Sequence, residues 1–250
     1  MVEFKDMINT IQLGDCYELI KNIPDKSIDL VYIDIPYLFK HGKGGAGCIA
    51  KRVNRLMAEE LCKVKDGIDY SIFDELCRIM KSIHIYIWCN KNQILDIMKY
   101  FIEEKKCNYE ILTWDKTNPV PMTDNTYLQD IEYCLFFREK GCKLNDGYEL
   151  KSKWYVSPIN KSDKDKYNHP TIKPLELVKR HILHSTQPND IILDCFCGSG
   201  TTCLAAKKTG RRYIGMEIDP EYHKIAVDRL NGINANGQTS IFTDFDNLGL

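Results

Sequence analysis

Asp34-Ile35-Pro36-Tyr37 closes the uninterrupted apolar run Ile28–Ile33, and its residue types suit one kind of chemistry. The Asp34 carboxylate and the Ile35 backbone carbonyl can each accept a hydrogen bond, so together they can hold both N–H groups of an amino substituent on a flat, conjugated ring. Such a nitrogen is a poor nucleophile. Accepting both of its N–H bonds favours the tetrahedral form with a free lone pair, which lowers the barrier rather than merely binding the reactant. Pro36 sets the backbone direction after that carbonyl, and Tyr37 offers a face on which the ring can stack. By spelling alone, an acidic residue before proline and tyrosine is a common strand-end turn. Position says more: ligands of open α/β sheets bind beyond the carboxyl ends of strands, and a carboxylate there is costly unless it is used or paired.

A second constellation lies near the other end. Ile191-Ile192-Leu193 runs into Asp194-Cys195-Phe196-Cys197-Gly198-Ser199-Gly200-Thr201-Thr202, a buried strand, a glycine turn and a helix start. Gly198 and Gly200 let the backbone turn sharply and let a ligand approach with no Cβ in the way, and the helix presents free N–H groups at that point. Nineteen residues after Gly198, the run Arg212–Met216 ends in Glu217, where nucleotide-binding crossovers hold an acid for ribose hydroxyls. A dinucleotide would also fit such a turn and acid. The loop, however, lacks the three-glycine dinucleotide spacing, and a thioether cation without phosphates needs no pyrophosphate cradle, so the residues favour S-adenosylmethionine over a nicotinamide cofactor.

Elements that position these residues can be read from periodicity. Short apolar runs alternate with amphipathic stretches, which predicts crossover units and a mainly parallel sheet. Strands are expected at Ile28–Ile33, Ile83–Trp88, Glu110–Trp114, Ile131–Phe137, Ile191–Leu193 and Tyr213–Met216. Helices are expected at Asp15–Lys21, Ser71–Lys81, Gln93–Glu104, Leu175–His184, Thr201–Lys208 and Glu221–Asn231. Two stretches break the alternation, the glycine-rich Lys40–Gly47 and the polar Gly141–Asn168. They suggest a mobile loop over 38–66 and an inserted element over 138–168 on one domain of 250 residues.

Composition narrows the class. A 44% hydrophobic content supports a proper core, and no apolar run approaches the roughly 18 residues of a spanning helix, so a cytoplasmic protein without membrane partners is expected. Eleven cysteines, scattered through strands and helices, fit a reducing compartment better than a disulfide framework. Cys195 and Cys197 have no second pair at zinc-ligand spacing, and His181 and His184 lack a third ligand, so no metal is expected. His84, in an apolar strand, reads as a core histidine, and His41 as part of the glycine-rich loop or nothing. Net charge is only −1, but Lys151 to Lys173 holds six lysines against two aspartates with Trp154, Tyr155 and Tyr167 among them, a composition suited to phosphates and bases.

With both constellations in view, the chain resembles the amino-group DNA methyltransferases of the beta arrangement, whose catalytic tetrapeptide precedes the cofactor loop. Their Asp-Pro-Pro-Tyr is matched by Asp34 to Tyr37, and their Asp-Pro-Phe-x-Gly-Ser-Gly-Thr-Thr by Asp194 to Thr202. His169-Pro170-Thr171-Ile172-Lys173-Pro174 is similar to the family's His-Pro-Thr-Gln-Lys-Pro. Arg212 to Glu217 and Gly14-Asp15 are similar to its ribose-binding and adenine-contacting segments. Thr113 to Pro119 resembles its tryptophan-x-lysine segment before the target-recognition region. Two departures stand out. Ile35 replaces a proline, keeping the acceptor but losing rigidity, and Cys195 replaces the proline after Asp194.

The resemblance implies a circularly permuted, Rossmann-like methyltransferase fold. Asp34, Ile35, Pro36 and Tyr37 are then catalytic. Asp15, Asp34, His169, Thr171, Lys173, Asp194, Phe196, Gly198, Gly200, Thr201, Thr202, Glu217 and Ile218 contact S-adenosylmethionine, and the 138–168 insertion reads the target. The implied partner is duplex DNA with its target base flipped out, with a homodimer and a cognate restriction endonuclease as further expected partners. Cytosine-specific members commonly have serine at the position of Asp34, which favours adenine N6 over cytosine N4. A DNA-binding module without catalysis, or a small-molecule methyltransferase, are the rival readings. The intact Asp34, Tyr37, Gly198, Gly200 and Glu217 oppose the first, and the lysine-rich stretch opposes the second.

Overall fold

The computed structural model describes residues 2–38, 67–119, 127–159, 166–167 and 172–239. Nearly all of the expected loop 38–66, with His41, lies outside them, as do His169 and Thr171 and part of the expected insertion. Eight strands are described: β1 (Thr10–Leu13), β2 (Leu30–Asp34), β3 (His84–Cys89), β4 (Asn108–Lys116), β5 (Ile131–Arg138), β6 (Trp154–Ser157), β7 (Ile191–Asp194) and β8 (Arg212–Glu217). They form one sheet in the order β1-β8-β7-β2-β3-β5-β4-β6. Every pairing is parallel except the two made by β5, so the mainly parallel α/β fold expected from the alternation is what the chain adopts.

Burial explains which runs became strands. β3 is buried at every position and β2 at all but Asp34, the pattern of parallel strands covered on both faces. On one face, Phe73, Leu76, Ile97 and Phe101 from the 72–79 and 94–104 helices pack over Ile33, Ile87 and Leu135. On the other, Leu177, Ile182, Leu204 and Ala226 from the helices Leu175–Ser185, Thr201–Lys208 and Pro220–Leu230 cover Leu30, Tyr32 and Trp88. Pro220–Leu230 begins at a firm cap, where Asp219 accepts from Glu221 N (2.8 Å) and Tyr222 N (3.2 Å) with Pro220 at the first turn.

The structure adds two strands that the periodicity did not predict, β1 and β6. The latter lies inside the expected insertion 138–168 and extends the sheet edge alongside β4, with Trp154 beside Thr113. The expected helix Gln93–Glu104 is α-helical only over Ile94–Met98 and widens to a π-helix over Lys99–Glu104.

One feature of the topology places the site. Neighbouring strands β2 and β7, with Val31 beside Leu193, are followed by helices on opposite faces, Ile72–Ile79 after β2 and Thr201–Lys208 after β7. Strands whose crossovers diverge in this way open a crevice at their carboxyl ends. Asp34 and Asp194 are the last residues of these two strands.

Candidate active site

Asp34 emerges from β2 half-buried, with its peptide tied down on both sides. Ile35 N donates to Trp88 O on β3 (3.2 Å), and the Ile35 side chain is 1% exposed in the core. Beyond it, Gln93 Nε2 donates to Pro36 O (2.9 Å), while Asn90 Nδ2 and Asn92 Nδ2 donate to Leu38 O (2.7 and 3.0 Å). These three amides hold the backbone on both sides of Tyr37.

The Asp34 carboxylate has two unlike oxygens. Oδ2 is ion-paired with the Lys173 ammonium, whereas Oδ1 is enclosed and has no hydrogen-bond partner among the described residues. Lys173 also reaches Glu132 Oε2 at 3.0 Å and Tyr37 Oη at 3.5 Å, and lies 5.1 Å from the centre of the Trp88 ring. Glu132 in turn pairs through Oε1 with Lys116 at 2.6 Å. Burial raises the Asp34 carboxyl above its ordinary range, with Lys173 opposing and Glu132 adding to the shift. Burial would raise Glu132 as well, but its two lysines hold it down to about 2. The Tyr37 hydroxyl is pushed well up by burial and stays neutral.

Across the crevice, the glycine turn is drawn together by carboxylates. Asp194 Oδ1 accepts from Phe196 N (3.1 Å), and Glu217 at the end of β8 accepts from Gly198 N (2.8 Å) and Asp219 N (2.9 Å). Gly198 and Gly200 have φ of 49° and 74°, left-handed values that favour glycine. A Cβ on Gly200 would stand 3.0 Å from Ala226 Cβ. Thr201 and Thr202 are buried at the helix start, and Ile218, past Glu217, is exposed. Asp15 caps the helix Cys16–Leu19 through Tyr17 N, next to Gly14 N, which donates to Glu217 O (2.8 Å).

A cavity of about 330 Å³ joins the halves, lined by Tyr17, Pro36, Gly67, Ile68, Asp69 and Phe196. Tyr17 Oη donates to Asp69 O (2.9 Å) and accepts from Asp69 N (3.0 Å), closing one wall. The residues fit S-adenosylmethionine: carboxylates and aromatic faces suit a sulfonium cation, and the open glycine turn beside Glu217 suits a ribose. Burial raises the Asp194 carboxyl to about 7, although Thr202 and Phe196 N pull it down.

Most of the expected site residues are brought together in this crevice. Lys173, grouped with the cofactor contacts by the resemblance, has its ammonium on Asp34 and Glu132. Glu132, Arg229 and the Asn90–Gln93 clamp were not anticipated. Arg229, 1% exposed, bridges Thr201 Oγ1 (2.7 Å) and Ser199 O (3.2 Å), fastening the glycine turn to the last described helix. Lys116 was legible only as part of the tryptophan-x-lysine resemblance. His84 is a core residue, lowered by burial to about 4, as its apolar strand suggested.

Residues 28–228 match the family described as DNA methylase. A type II methyltransferase of Lactococcus lactis subsp. cremoris, M2.LlaDCHI, is 31% identical over 236 residues, 87% of this chain and 87% of its own. The type II methyltransferase M.HinfI of Haemophilus influenzae is 34% identical over 262 residues, 92% of this chain and 70% of its own. Among solved structures, the M1.HpyAVI-SAM complex aligns with a TM-score of 0.65 at 28% identity, covering 89% of this chain and 98% of that one. The cytosine-N4-specific PvuII DNA methyltransferase aligns at 0.66 with 18% identity over 88% of this chain and 85% of its own, a likeness of fold.

Proposed function

Since this chain belongs to the DNA methylase family that its residues 28–228 match, we propose that it methylates the N6 amino group of adenine in duplex DNA. It is a DNA methyltransferase of the N6-adenine or N4-cytosine type and uses S-adenosylmethionine. The type II designation of its relatives supports a restriction–modification setting with a cognate endonuclease.

The observation that carries the adenine reading is Asp34 itself, a carboxylate with Oδ2 anchored by Lys173 and Oδ1 enclosed without a hydrogen-bond partner among the described residues, where cytosine-specific members commonly have serine. Bound S-adenosylmethionine supplies an electrophilic methyl on sulfur. The Asp34 carboxylate accepts one N–H of the flipped base and the Ile35 carbonyl the other, which exposes the nitrogen lone pair, and Tyr37 stacks on the base. Transfer is direct and in line, and no cysteine serves as nucleophile. Asp34 acts by orientation and charge, and the amino proton leaves to solvent.

On the cofactor side, Glu217 holds ribose hydroxyls, Phe196 packs against the ligand, and Asp194 faces its ammonium. Asp194 titrates near 7 in the free protein, so a cation bound there must favour the ionised form. Cofactor affinity measured by calorimetry is therefore expected to rise with pH, by up to about tenfold per unit below 7, and to level off above it. Asp194→Asn should flatten that dependence. The same shift has the opposite effect on the free fold, which loses stability as pH rises from the ordinary carboxylate range toward 7, because the folded state holds this proton more tightly.

The decisive assay incubates the protein with methyl-labelled cofactor and DNA of mixed sequence, digests to nucleosides and identifies the labelled one. N6-methyladenine is expected. N4-methylcytosine would overturn the choice of base.

A further inference from the structure

Four side chains of alternating charge form a row of ion pairs that starts at Asp34 on β2 and passes through Lys173, ahead of the helix Leu175–Ser185, and Glu132 on β5 to Lys116 on β4. We propose that Glu132 is a positioning residue for methyl transfer, holding Lys173 so that it anchors Asp34 while cancelling the lysine's charge beside the target nitrogen. This rests on the reading of Asp34 as the acceptor for that nitrogen.

The geometry argues it in two steps. A lysine ammonium has three donors, and those of Lys173 are divided among Asp34 Oδ2, Glu132 Oε2 and Tyr37 Oη, with the Trp88 ring alongside. Glu132 shares the ammonium with Asp34, whose contact to Lys173 is through Oδ2 alone, and Oδ1 has no hydrogen-bond partner among the described residues. Without that carboxylate, Lys173 would pair with Asp34 alone and compete with the base for it.

Charge gives the second step. Methyl transfer moves a positive charge from sulfur onto the amino nitrogen, and a bare ammonium next to Asp34 would oppose that transfer. Glu132 offsets the Lys173 charge next to Asp34, while Lys116, on the other oxygen of Glu132, stands one pair further from the nitrogen. Lys173 and Lys116 together keep Glu132 ionised, which accounts for its depressed carboxyl, and Lys116 holds its second oxygen in place. Among the described residues, the other titratable groups around Asp34 are Tyr32 on β2, Tyr37, Cys89 on β3, Cys134 on β5 and Asp194 on β7. Burial raises the tyrosines and both thiols, so they carry no charge, and the described charges near Asp34 are those of Lys173 and Glu132, with Lys116 behind Glu132 and Asp194 on β7.

The test compares wild type with Glu132→Gln, Glu132→Asp and Lys173→Met, using label transfer to DNA for kinetics and calorimetry for cofactor binding. In Glu132→Gln, kcat is expected to fall at least about tenfold with the cofactor Kd within about threefold, and Glu132→Asp should recover most of the loss. The acid limb of kcat/KM should move in opposite directions. It shifts to lower pH in Glu132→Gln, where Asp34 loses a neighbouring anion, and to higher pH in Lys173→Met, where it loses its cation. Unchanged kcat in Glu132→Gln, loss of cofactor binding there, or acid limbs moving the same way in both variants would overturn the inference. If wild type itself puts no label into DNA, the functional reading fails instead.

Discussion

Asp34→Ala is expected to cut methyl transfer to DNA by about 10²- to 10³-fold, the usual cost of removing a group aimed at charge that develops in the transition state. Cofactor affinity should change little, because Glu217, Phe196 and the glycine turn are untouched. The fold should survive. Removing one partner of a buried ion pair ordinarily strands the other, but Lys173 keeps Glu132 at 3.0 Å and the Trp88 face. Asp34→Asn gives a finer comparison, since its amide oxygen can still accept one N–H, and it should retain more activity than alanine. Single-turnover transfer with saturating cofactor measures both. Transfer by Asp34→Ala within tenfold of wild type would remove Asp34 from the chemistry.

Glu217→Ala should show the converse signature. Its carboxylate accepts from Gly198 N and Asp219 N and in the proposed complex also holds ribose hydroxyls. Hydrogen bonds to a charged group contribute about 1.5–3 kcal/mol each, so cofactor affinity should fall on the order of 10²-fold. Once cofactor saturates the protein, kcat should recover to within severalfold, because the loss is uniform binding rather than transition-state stabilisation. Calorimetry for Kd and initial rates at high cofactor separate the two. A normal Kd in this variant would remove Glu217 from the cofactor site.

How much of this was legible in the sequence depends on the distance over which the cause acts. β2, β3 and β7 could be read because strands buried on both faces are apolar throughout, and the glycine turn because its residues must be contiguous. β1 escaped because four residues of alternating character, Thr10-Ile11-Gln12-Leu13, give too little signal against the surrounding polarity. β6 escaped because lysines flank Trp154-Tyr155-Val156, and a lysine-rich stretch reads as a solvated loop. Glu132 could not have been found by spacing. It meets Lys173 only through the register of β5 on β3 and through the course of the chain into the helix Leu175–Ser185, relations between segments that are far apart in the chain. Asn90 and Gln93 were hidden for the same reason, since their amides look like ordinary turn residues until Pro36 and Leu38 are brought beside them.

The reversed strand in the sheet has an effect of its own. β5 runs against its neighbours, with Cys134 beside Trp88 and Tyr133 beside Cys89, so its opening residues reach the rim where the other strands finish. Had β5 followed the common direction, Glu132 would have entered at the far margin, a strand length or about 20 Å from Asp34. Inverting one ribbon of backbone thus lets a residue from a strand's beginning share a rim with residues from strand endings, and gives the crevice access to side chains that a uniformly oriented sheet would deliver to its opposite shore.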